Sequence, residues 1–129
     1  MERYDPEVGP LPQEWLAADE MERLLLVEWY HRDARANIPK AQRRLHASVH
    51  VVVENQLAAN DEPVVRALAR LMKEGLSRHD AVHAIGCVVS ETIYDRLKLK
   101  EEPEAANARY YAAVERLTAA VWREEYRDD

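Results

Sequence analysis

Residues 44–56, RLHASVHVVVENQ, set His46 and His50 four positions apart and place Glu54 four further on. That spacing lines the three side chains along one face of a helix. Leu45, Val49 and Val52 form an apolar stripe beside them, so the segment reads as an amphipathic helix packed into a core. Residues 78–91, RHDAVHAIGCVVSE, repeat the device with His79 and His83, then Cys87, then Glu91.

Working outward, proline and capping signals divide the rest of the chain. Pro6, Gly9, Pro10 and Pro12 make residues 1–12 an extended arm. Residues 13–129 read as a single helical domain. Its first helix is expected from Gln13 to about Ala36, ended by Asn37-Ile38-Pro39, because a residue preceding proline avoids helical geometry. The second runs from Lys40 to Ala59. Asp61 is the expected N-cap of a short third helix through Met72, with Gly75 at its C′ position. Ser77 and Asp80 fit a capping pattern that starts the fourth helix at Arg78, and Pro103 opens the fifth. Tyr110, Val114, Leu117 and Val121 give that last helix a regular apolar stripe, and its tail, REEYRDD, is expected to fray. Nothing alternates with period two for long enough to predict a sheet. The expectation is an all-α bundle of about five helices, mostly antiparallel.

Composition supports this and excludes several functions. Three glycines and abundant Ala, Leu, Glu and Arg favour helix. A net charge of −6 argues against binding a phosphate backbone, so no nucleic acid is expected. The single cysteine, Cys87, makes no intramolecular disulfide and suits a reducing compartment. The acidic, proline-bearing start does not read as a signal peptide, and no stretch approaches the roughly 18 apolar residues of a membrane span. No membrane association is expected, and a cytoplasmic location is.

The histidines carry the chemistry. A pair at i, i+4 can direct both rings at one metal ion. Counted from the expected helix starts, His46 falls level with His83 and Glu54 level with Glu91, so the two stripes can share a site. The candidate metal ligands are His46, His50, Glu54, His79, His83 and Glu91, with the glutamates either binding the ion or accepting hydrogen bonds from the rings. Imidazole and carboxylate together suit a divalent zinc, iron or manganese ion. Gly86 and Ser90 would let a neighbouring helix or a ligand approach the histidine face. Arg78, Asp80 and Gln56 could orient the rings, although caps and surface positions suit Arg78 and Asp80 better. Glu28-x-x-His31 is a single Glu–His pair and reads as structural, Tyr30 and Tyr94 read as core-edge aromatics, and Cys87 as a small buried residue. No G-x-S-x-G, P-loop, dinucleotide fingerprint or H-E-x-x-H occurs, so an enzymatic role would have to be metal-assisted.

The patterns H-x-S-x-H-x3-E-x-Q and H-[DE]-A-x-H-x3-C-x2-E followed by an aromatic resemble a family of small bacterial proteins catalogued as a domain of unknown function. His46, Ser48, His50, Glu54 and Gln56 carry the first, and His79, Asp80, Ala81, His83, Cys87, Glu91 and Tyr94 the second. The resemblance covers roughly residues 45–97 and implies a helical protein without naming its chemistry. His31, His50 with Glu54, and His79 with His83 also resemble three of the four ligand elements of hemerythrin-like oxygen-binding bundles. The last helix carries no histidine to supply the fourth.

Two functions follow as expectations. The leading one is a metal-binding helical bundle. The alternative is an interaction module in which the histidines are hydrogen-bonded core residues and Tyr110, Tyr111, Val114, Leu117, Val121 and Trp122 form a homodimer face.

Overall fold

Capping residues cut the chain where its apolar stripes do not. In the computed structural model, which describes residues 1–125, the secondary structure of the described residues is all helical, with no strand among them. The helices are α1 Pro12–Ala17, α2 Glu20–Asp33, α3 Arg43–Ala58, α4 Glu62–Lys73, α5 Arg78–Leu99, α6 Pro103–Arg116 and α7 Ala119–Glu125. A single 3-10 turn, Lys40–Gln42, leads into α3.

These are seven helices where about five were expected. The expected first helix breaks at Ala18, whose backbone is extended, and restarts because the Asp19 carboxylate accepts from the Glu22 N–H. The expected fifth helix breaks at Leu117, and the Thr118 hydroxyl oxygen then accepts from the Val121 N–H. At that break the Arg70 guanidinium donates to the carbonyls of Leu117 and Val114, the latter also accepting from the Leu117 N–H that closes the helix. The expected fraying of the tail concerns residues 126–129 in part, and these lie outside the described residues.

Other turns follow the sequence closely. Gly75 takes φ +109° after α4, its N–H reaching Met72 O while the Leu76 N–H reaches Leu71 O. That is a Schellman end, and the buried Leu76 seals it. The Ser77 hydroxyl oxygen accepts from the Asp80 N–H at the start of α5, as its pattern predicted. Asp61 stands at the N-cap of α4 but makes no capping bond; its carboxylate accepts from the Tyr111 hydroxyl instead.

Two hydrophobic clusters meet on α3. One joins Tyr4, Trp15, Leu26 and Val27 to Ala47 and Val51. The other gathers Leu71, Ile85, Val88, Tyr110 and Val114 around Val53. The face expected to make a homodimer is therefore largely spent inside the protein, since Tyr110, Val114 and Leu117 are buried. The N-terminal residues before α1 carry no helix, but they close a turn in which the Val8 and Gly9 N–H groups reach Asp5 O, and they run inward: Tyr4 is 3% exposed and packs on Trp15 and edge-on to Tyr30.

The helices α3 and α5 approach closely at Gly86, where an added Cβ would lie 2.8 Å from Val49 Cγ1. A stiff β-branched side chain has little room to yield there. Gly86→Ala should therefore cost about 1–2 kcal/mol, overpacking outweighing the gain in helix propensity. A lowered urea midpoint at unchanged slope would confirm it; a raised midpoint would show that the helices part freely.

Candidate metal centre

Helix geometry brings five imidazoles into the seam between the two clusters. His31 stands in the last turn of α2, His46 and His50 on α3, and His79 and His83 in the first two turns of α5. The His79 and His83 ring centroids are 4.3 Å apart, His31 and His50 4.7 Å, and His50 and His83 4.8 Å. One ligand atom each from His31, His50, His79 and His83 lies within 4.8 Å of all the others, so these four histidines could hold a metal ion.

The hydrogen bonds decide which nitrogens are available. His31 Nδ1 lies 2.8 Å from Val27 O, a carbonyl that can accept but not donate, so this nitrogen carries the proton. The Tyr4 hydroxyl donates to Glu54 Oε2 at 2.6 Å and lies 3.1 Å from His50 Nδ1. With its proton committed to Glu54, the phenol oxygen accepts from His50 Nδ1–H. Both rings thus turn an Nε2 lone pair inward. His46 Nε2–H then donates to His31 Nε2 at 3.1 Å, and His83 Nε2–H to His50 Nε2 at 2.9 Å. His79 Nε2 is different: it is buried and has no hydrogen-bond partner among the described residues.

Four of the six sequence candidates, His46, His50, His79 and His83, come together, but the grouping differs from the one expected. His31, read as structural, is buried at the centre of the cluster. His46 touches His31 but is not one of the four whose ligand atoms gather. Glu54 is 1% exposed and occupied, both oxygens accepting from the Arg78 guanidinium at 2.9 Å. Glu91 is exposed, outside the four, and about 20 Å farther along α5 than Arg78. The expected level pairing of Glu54 with Glu91 is thus replaced by Glu54 with Arg78. Arg78, read as a cap or surface residue, is instead the buried counter-charge, and it also donates to Pro6 O. Gln56 accepts from the Tyr110 hydroxyl. Of the aromatics, Tyr30 does sit at the core edge, beside His31 and His79, whereas Tyr94 is exposed.

Electrostatics keeps the rings neutral. Burial pushes all five imidazoles below their ordinary value, His46 to about 4 and His83 to about 3, with neighbouring histidines adding to the effect for His46, His50, His79 and His83. Burial and the Glu54 carboxylate raise the Tyr4 phenol well above its usual range, which keeps it a donor. Neutral imidazoles are the form that binds a metal; His31 and His50 turn Nε2 lone pairs inward, whereas His83 presents Nε2–H and would need its other tautomer to bind.

No family model matches the chain, no curated protein is significantly similar to it, and no solved structure matches its fold. Geometry therefore defines the class: an all-helical protein with a buried polyhistidine cluster able to hold a metal. No helix among the described residues is long and apolar enough to cross a membrane.

Two outcomes follow from the buried groups. Arg78→Met should cost about 3–5 kcal/mol by stranding a buried carboxylate, and adding Glu54→Gln should recover much of it. Urea unfolding of both variants checks this; equal losses would mean that the charge pair is not what Arg78 supplies. The second concerns pH. Histidines with folded values below the unfolded value of about 6.5 contribute stability above that pH, lost as pH falls toward 4. Chelator-treated protein should show its urea midpoint dropping across that window, and a flat midpoint would show that the rings are not held neutral.

Proposed function

We propose that the protein binds one transition-metal ion through the Nε2 atoms of His31, His50, His79 and His83. The observation that carries the reading is the buried, unpartnered His79 Nε2 in a group of four donors within 4.8 Å. Leaving a buried ring nitrogen without a partner is costly, and an ion at the centre removes that cost. A tetrahedral zinc site needs donor atoms about 3.4 Å apart, so small ring tilts close the group. Ion binding replaces both the His50–His83 and the His31–His46 hydrogen bonds, and His83 then carries its proton on Nδ1.

The donor set favours zinc or iron over manganese, because it is all imidazole and Glu54 is committed to Arg78 and Tyr4.

Elemental analysis of untagged protein should give near-stoichiometric zinc or iron, lost in His50→Ala/His83→Ala. The chelated protein should stay helical by circular dichroism, and metal at a hundred times its Kd should add about 2.7 kcal/mol of stability. No metal in the purified protein and no uptake on titration would overturn the reading.

A homodimer is the second reading, favoured by a different surface from the one expected. Ile93, Tyr94, Leu97 and Leu99 are exposed on the second half of α5, Leu97 by 75%. Light scattering of the native chain and of Leu97→Glu tests it, a dimer that becomes a monomer being the supporting result.

A further inference from the structure

We propose that the cleft beside the histidine cluster binds a small molecule with an uncharged, apolar body and a single metal-binding head. This rests on the metal reading and names the class of ligand that such a site would take. The cleft encloses about 440 Å³, within the range of small-molecule sites. His46, His50 and His83 line it, and two of these are among the four candidate ligands. A head group seated against those rings meets the ion's own coordination sphere.

The walls settle the character of the body. Leu45 and Val49 come from α3 and Val82 from α5, and none of the side chains lining the cleft is Asp, Glu, Lys or Arg. One residue in three of this chain is charged, so the exclusion is distinctive. A charged ligand body would lose its water here and gain no opposite charge. Gly86 also lines the cleft, and the close approach to Val49 that it permits sets the spacing of the two walls. Trp122 and Cys87 line the cleft as well, the indole N–H directed at the Cys87 sulfur, so both are uncharged wall groups. Ser90, which lines the cleft too, is exposed and belongs to neither the histidine cluster nor the core.

Two probes separate head from body. Imidazole offers a neutral metal-binding nitrogen alone; 4-phenylimidazole adds an apolar ring. Each is titrated into the full chain loaded with cobalt(II), whose visible absorption bands report coordination. Both should perturb the bands, with 4-phenylimidazole binding at least about tenfold more tightly through burial of its phenyl ring. Ser90→Trp, which puts a bulky side chain into the cleft, should abolish the preference and leave the imidazole affinity unchanged. Equal affinities in the native chain, or a preference that survives Ser90→Trp, would overturn the proposal. Cobalt bands that respond to neither probe would overturn it as well while leaving the metal site standing. No cobalt bands at all would remove the metal reading and this inference together.

Discussion

An imidazole withdrawn from water must keep both ring nitrogens occupied, and five such rings share one seam of this protein. Each hydrogen bond around them constrains the next. Val27 O fixes the proton of His31, and the Tyr4 phenol fixes that of His50. Those two choices determine which nitrogens His46 and His83 must present. His79 is left with a buried nitrogen that has no hydrogen-bond partner among the described residues. Neutrality is a condition of this packing, since five imidazolium ions at these separations would repel one another strongly.

Glu54 is the second constraint, and it organises a different set of residues. A buried carboxylate is tolerated when its charge and its lone pairs are met together. Arg78 meets the charge with two hydrogen bonds, and Tyr4 takes a further lone pair. The carboxylate reaches the cluster indirectly, by holding the hydroxyl that holds His50. Carboxylate–imidazole coupling of this kind orients a metal-binding ring and raises its basicity. Helices α3 and α5 and the N-terminal segment therefore meet at one polar node embedded in apolar packing.

Much of this was legible in the sequence, and the gaps have physical causes. Helix identity, the Schellman end at Gly75 and the Ser77 cap follow from local chemistry, and the i, i+4 histidine pairs follow from helical periodicity. The break at Asp19 had a local signal too, an Asp followed three residues later by Glu22, but the apolar stripe running through it was the louder one. The place of His31 in the cluster was not legible, because a lone histidine shows no periodicity and its position depends on how α2 packs against α3. The pairing of Glu54 with Arg78 instead of Glu91 depends on how α3 and α5 cross, which no spacing within either helix encodes. Tyr4 had no signal at all, lying in a proline-bearing stretch whose composition suggested an arm.

The N-terminal segment ties the site to contacts that span more than half of the chain. Pro6 O accepts from Arg78 and the Glu7 carboxylate accepts from the His79 N–H, each across 72 residues of sequence. Contacts of that separation are made against the entropy of closing a long loop. The tautomer of His50 rests on the same segment, since the Tyr4 hydroxyl accepts from His50 Nδ1. With the segment undocked, His50, and through it His83, would lose its fixed protonation pattern.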